Sequence, residues 1–158
     1  MLSDDFFRIV GRVTVYSADA QAVMCQVRLE LGGQRVGLGA AIAKMLKSQS
    51  VAQCENKLSA AAEETSDAEL RRALRGLILQ SEALRNARNG ITHAYWIRPP
   101  WGDPEFEPMS TRVRVDGTVA IVMPDMSVWE SVAEGLEQLA DRGRDIVRHI
   151  RATTPNAD

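Results

Sequence analysis

The sequence predicts a mainly α protein: one domain over residues 1–158, folded as an antiparallel four-helix bundle with a small β-hairpin at about 112–123, inserted before the last helix. Three observations predict it. Aromatics make up 5% of the chain, while Ala, Leu, Val, Arg and Glu are plentiful, and most of these lose little freedom in a helix. Apolar residues recur at the three-and-four spacing of a helix stripe through most of the length. After a proline-rich segment the period changes to two. At 158 residues, 45% hydrophobic and 25% charged, the chain is long enough to bury a core without metal or disulfide staples.

From Asp4 to Leu31 the positions Phe6, Val10, Val13, Ala20, Val23, Val27 and Leu31 form the apolar stripe of a first helix, which Gly32-Gly33 should stop. Gly37 and Gly39 follow, but no strand precedes these glycines and no Gly-Lys-Ser/Thr comes after them. Neither phosphate-loop fingerprint is present. Ile42, Met45, Leu46, Cys54, Leu58 and Ala61 suggest a second helix over 40–64, with a weak point near Ser48-Gln49-Ser50. Ser66-Asp67-Ala68-Glu69 reads as a capping box opening a third helix. Its stripe is Leu70, Leu74, Leu77, Ile78, Leu84 and Ile91, and the pattern runs to about Ile97 before Pro99-Pro100 forbids more helix.

Residues 98–111 carry four prolines and read as an extended loop. Asp116-Gly117 between Arg112–Val115 and Thr118–Met123 is a strong hairpin signal. Ser127-Val128-Trp129-Glu130 is a second capping box. It opens a last helix with the stripe Trp129, Val132, Leu136, Leu139, Ile146 and Ile150.

The formal net charge of −2 argues against a protein that coats nucleic acid. The charge is uneven, however. Residues 70–98 hold six basic residues and one acidic one, a net +5 between acidic flanks. Arg outnumbers Lys 16 to 3, and a planar guanidinium suits phosphate. Cys25 and Cys54 are far apart, outside any metal-ligand spacing, and read as reduced core residues. The start Met1-Leu2-Ser3-Asp4-Asp5 is acidic where a secretory leader is basic, and no apolar run approaches a membrane span. These features point to the cytoplasm, with no membrane partner, no metal and no cofactor.

His93 and His149 are the two histidines. His149, between Arg148 and Arg151 near a helix C-terminus, reads as a residue complementing the helix dipole. His93 closes the string Arg88-Asn89-Gly90-Ile91-Thr92-His93 inside the basic stretch. On a helix Asn89 shares its face, so that the amide can orient the imidazole. Arg88 lies about 140° around the helix from His93. A guanidinium that stabilises charge and an imidazole that moves protons are what phosphodiester cleavage requires.

In these residues the sequence resembles the HEPN superfamily, helical-bundle proteins many of which are ribonucleases. The family signature is R-x-x-x-x-H with a polar residue, often Asn, after the Arg, here Arg88, Asn89 and His93. His93-Ala94-Tyr95 also resembles the R-x-x-x-x-H-x-Y form of toxins paired with a nucleotidyltransferase antitoxin, which transfers AMP to the Tyr. The resemblance implies a homodimer in which two motif helices meet and bring Arg88 and His93 into one cleft. It implies a metal-independent endoribonuclease, a toxin in that setting, cutting single-stranded RNA by attack of the ribose 2′-hydroxyl. His93 would move the proton, Arg88 stabilise the phosphorane and Asn89 hold His93, with Thr92 and Tyr95 lining the cleft. Two alternatives stand beside it: a non-enzymatic dimeric bundle whose motif is structural, and a HEPN toxin regulated by AMP transfer to Tyr95.

Overall fold

A computed structural model describes residues 4–48, 51–92, 95–97, 109–113, 119–122 and 125–153. Two 28-residue helices, α1 (Asp4–Leu31) and α5 (Met126–Thr153), pack along each other as the main axis. Between them in sequence come α2 (Leu38–Ser48), α3 (Val51–Glu64) and α4 (Ala68–Thr92). α4 lies on α5, α3 lies on α4, and α2 is a side arm against α1. The protein is mainly helical, with five helices among the described residues where the sequence suggested four. The expected helix over 40–64 is two helices, Leu38–Ser48 and Val51–Glu64, on either side of the weak point that the sequence offers near Ser48; residues 49 and 50 lie outside the described residues.

α1 stops as its glycines predict. Gly33 takes a left-handed φ of 74°, its N–H donates to Glu30 O at 3.0 Å, and the Gln34 N–H donates to Leu29 O at 2.9 Å. This is a Schellman closure, in which a residue lacking Cβ takes the strained position.

Both expected capping boxes are replaced by a single aspartate. Asp67, not Ser66, caps α4, its Oδ1 accepting from the N–H groups of Glu69 (2.9 Å) and Leu70 (3.0 Å). Asp125, not Ser127, caps α5 through the N–H groups of Ser127 (3.0 Å) and Val128 (3.3 Å). A carboxylate caps as well as a hydroxyl does and adds charge complementary to the helix N-terminus. These contacts hold both carboxyls below the usual range, led by His149 for Asp67 and by the Ser127 hydroxyl for Asp125.

The C-terminal end of α4 is also corrected. It stops at Thr92 instead of continuing to Ile97, and Tyr95–Ile97 forms strand β1. Two aromatics and a β-branched residue leading to Pro-Pro favour extended backbone over helix. β2 (Met109–Val113) and β3 (Val119–Val122) complete an antiparallel sheet of order β1-β2-β3, with Tyr95 opposite Thr111 and Val113 opposite Val119. β2 takes in the end of the stretch expected as loop. Asp116-Gly117 and most of the proline-rich segment lie outside the described residues.

The core joins α1, α3, α4 and α5. All six stripe positions of the last helix are buried, as are Phe6, Val13, Ala20, Val23 and Val27 of α1 and Leu70, Leu74, Leu77, Ile78 and Ile91 of α4. Cys54 and Leu58 of α3 are buried, whereas Ile42 of α2, expected inside, is exposed. Both cysteines are buried and free, and burial pushes the Cys54 thiol up to about 11. Gly143 lets α5 approach α1 closely, since a Cβ there would lie 2.5 Å from Val23 Cγ1.

His149 does more than face the helix dipole. Its Nε2 lies 2.8 Å from Asp67 Oδ2, tying α5 to the cap of α4. Asp67, and secondarily Glu69, raises the His149 pKa above its ordinary 6.5. A raised imidazole pKa stabilises the fold fully below about 6.5 and loses that contribution as pH rises through the folded value; the lowered Asp67 loses its contribution only in acid, below the usual carboxylate range. The Tm advantage of wild type over His149→Gln should therefore shrink as pH rises from about 6.5 through the raised folded pKa. Melting curves across that range check this, and a constant difference counts against the pairing.

Candidate functional site: a two-arginine cleft beside the end of α4

Arg88 sits at a place where the apolar seam of α4 is interrupted. Leu70, Leu74, Leu77, Leu84 and Ile91 follow alternating three- and four-residue spacing, and the same series falls on Ser81 and Arg88. α1 has a matching break at Ser17, in the series Val10, Val13, Ser17, Ala20. The two breaks meet. Arg88 Nη1 donates to Ser17 Oγ at 3.1 Å, and Gln21 Nε2 approaches the same oxygen at 3.4 Å. Ser17 is buried and Arg88 half-buried.

A second arginine shares this face. Ser81, Arg85, Arg88 and Thr92 follow one another at four-, three- and four-residue intervals, forming a polar stripe up α4. Across from it, α3 contributes Glu55, a carboxylate whose side chain is 4% exposed. Ser81 Oγ donates to Glu55 Oε1 at 2.7 Å, and Arg85 Nη1 pairs with Oε2. One carboxylate thus fixes a hydroxyl and a guanidinium.

Arg85 and Arg88 line a shallow, solvent-open cleft with Ser17, Gln21 and Ser81; apolar residues of α1, α3 and α5, including Met24, Val51 and Leu136, form its remaining walls. Burial, and then repulsion from Arg85, lowers the Arg88 pKa below its ordinary value, while Glu55 opposes the shift. Among the described residues no carboxylate forms an ion pair with Arg88. Its guanidinium is held by a neutral hydroxyl beside a second cation, an arrangement an anion would relieve.

The remaining motif residues are placed unequally. Asn89 is half-buried in the last turns of α4, and Thr92 ends the helix with its Oγ1 donating to Arg88 O at 3.1 Å. That bond turns the hydroxyl onto its own helix. Tyr95 is in β1, past the end of α4, so it belongs to a different element from Arg88. His93 lies outside the described residues. Sequence reasoning missed Ser17, Glu55, Ser81 and Arg85. The signal for all three of Ser17, Ser81 and Glu55 was present as polar residues at seam positions of apolar stripes, Glu55 falling in the α3 series Val51, Glu55, Leu58, Ala62 while the exposed Glu63 and Glu64 fall outside it; Arg85 carries no such signal.

Among the described residues no group of three or more His, Cys, Asp or Glu side chains is arranged to hold a metal, and no helix is long and apolar enough to cross a membrane. No protein-family model, no curated protein and no solved structure matches the chain.

Proposed function

We propose that this chain is a metal-independent endoribonuclease of HEPN type, acting on single-stranded RNA as a homodimer. The observation that carries the reading is Arg88: a half-buried guanidinium in an open cleft, on the most basic helix of the chain, with a neutral hydroxyl as its described partner. In this reading α1, α3, α4 and α5 form the four-helix bundle, α2 is a side arm, and the sheet is the appendage before the last helix. His93 moves the proton of the ribose 2′-hydroxyl, Asn89 holds the imidazole, and Arg88 stabilises charge on the phosphorane. Two copies meeting along α4 bring one chain's Arg88 to the other's His93, which removes the angular separation within a single helix.

The reaction makes its own test. Purified protein should cut single-stranded RNA in EDTA and leave 2′,3′-cyclic phosphate ends, while the same sequence as DNA, lacking the 2′-hydroxyl, stays intact. Mass spectrometry of the products checks both points. Cleavage of the DNA, or activity that requires an added metal, would contradict the assignment.

A specific observation favours a second reading, that of a non-enzymatic bundle. Arg88 ties α4 to α1 through Ser17, a contact with structural value of its own. On this reading Arg88→Met lowers Tm and neither form turns over RNA.

A further inference from the structure

We infer that Arg85 is a second phosphate-binding residue of the α1/α4/α5 cleft, held ready by Glu55 and Ser81, so that an incoming phosphate is gripped by two guanidinium groups. The inference deepens the nuclease reading by naming where the substrate's phosphodiester sits.

Two guanidinium groups three residues apart on one helix face share, among the described residues, a single nearby carboxylate, which leaves the described cluster one positive charge in excess. Part of that cluster is withdrawn from water: Glu55 is almost fully buried, Arg85 is 31% exposed on its side chain and Arg88 is half-buried. Uncompensated positive charge in such a place is costly, and a bound anion returns the cost as binding.

Geometry then separates the two arginines. Arg85 Nη1 is committed to Glu55, whose other oxygen is occupied by Ser81, so its guanidinium is oriented and has further N–H groups to offer. Arg88 is turned toward the cleft by Ser17, a hydroxyl that an anionic oxygen can outcompete. Ser17 and Gln21 add neutral polar groups beside the same opening. A phosphate needs several convergent donors and compensating charge, and the cleft is open to solvent, so the anion can seat at its mouth. A carboxylate ligand would use one fork, whereas a tetrahedral phosphate can engage both.

The test uses inorganic phosphate and a single-stranded deoxyoligonucleotide, which presents phosphodiesters yet cannot be cut by the 2′-hydroxyl route. Wild type is compared with Arg88→Met and with Glu55→Gln/Arg85→Met. The double variant removes both partners of the buried pair and leaves no stranded charge. Each should weaken phosphate binding at least about tenfold by calorimetry, a loss typical of a charge-assisted contact. Each should also flatten the salt dependence of oligonucleotide binding by roughly one counterion. Arg72→Met, on the exposed face of α4, should change neither.

Unchanged phosphate affinity in the double variant, with its melt intact, overturns the inference even if RNA is still cut. Phosphate and oligonucleotide binding that depend on both arginines, in a protein that never cleaves RNA, uphold the site and overturn the nuclease reading. Dependence on both arginines for phosphate but not for the oligonucleotide upholds a phosphate seat for a small ligand and overturns its use for a phosphodiester chain. If the double variant fails to fold, Arg85→Lys decides: it keeps the charge and loses the fork, so unaltered phosphate affinity overturns the inference.

Discussion

On the proposed nuclease reading, His93→Ala should abolish RNA cleavage, lowering the rate by about a hundredfold or more, with oligomeric state and melting temperature unchanged. A positioned general acid or base supplies roughly two to four orders of magnitude. Arg88→Met should cost a comparable amount, since a donor aimed at developing negative charge contributes on the order of a hundred- to a thousandfold. The two losses should not add if, as that reading has it, both groups serve one transition state. Single-turnover assays on the two single variants and the double variant check this. A His93→Ala protein that cuts RNA as fast as wild type removes the proton-transfer role, and a double variant with the full product of both losses places the residues in separate steps. Arg88→Lys is the informative intermediate. It restores charge without the planar fork and should recover a minor part of the rate, separating electrostatic from bidentate stabilisation.

The sequence shows where helices run more faithfully than where they end. The stripes of α1, α4 and α5 were legible because burial follows helical spacing closely, down to every stripe position of α5 from Trp129 to Ile150. Ends were harder to read because they depend on single hydrogen bonds. At α4 and α5 the sequence offers a serine or an aspartate as cap, and the structure uses Asp67 and Asp125. At the far end of α4, Tyr95–Ile97 continues an apolar run that suits a helix by spacing and a strand by side-chain shape. Pairing with Met109–Thr111, a contact across the chain invisible to local pattern, accompanies the strand.

The candidate site divides along the same line. Arg88 was singled out by a short linear motif, and its half-burial has an explanation in sequence, because it occupies a seam position of α4. Arg85 belongs to no motif and enters the sequence reading only as one of the six basic residues of 70–98. What distinguishes it is Glu55, thirty residues earlier and on another helix. Spacing within α3 marks Glu55 as an acid at a seam position, but which cation it meets is set by the packing of α3 on α4, and no spacing rule within one helix supplies that partner.

Arg151→Met should destabilise the protein by about 3 kcal/mol, the low end of what losing one partner of a buried ion pair costs. Glu30 is the reason. Its side chain is 1% exposed, and its Oε1 accepts from Arg151 Nη2 at 2.5 Å and from the Val36 N–H at 3.0 Å. Burial pushes the Glu30 carboxyl up, but the bonds to Arg151 and Val36 hold it below its ordinary value. Without Arg151 the carboxylate must stay charged in a dry site or take up a proton, and either outcome costs stability. The 41% exposure of the Arg151 side chain keeps the loss from being larger, since water already screens the cationic side. Arg151 Nη2 also donates to Val36 O at 2.9 Å, and Gln26 Nε2 reaches that carbonyl at 2.8 Å, so the α1–α2 connection loses one of its holds as well. For a chain of this length the Tm should fall by roughly 6–12 °C. Glu30→Gln in the same protein should recover much of the loss by replacing the stranded charge with a neutral amide. An Arg151→Met melt within about 2 °C of wild type would show that Glu30 needs no cation, and would make the link between the ends of α1 and α5 a matter of apolar packing alone.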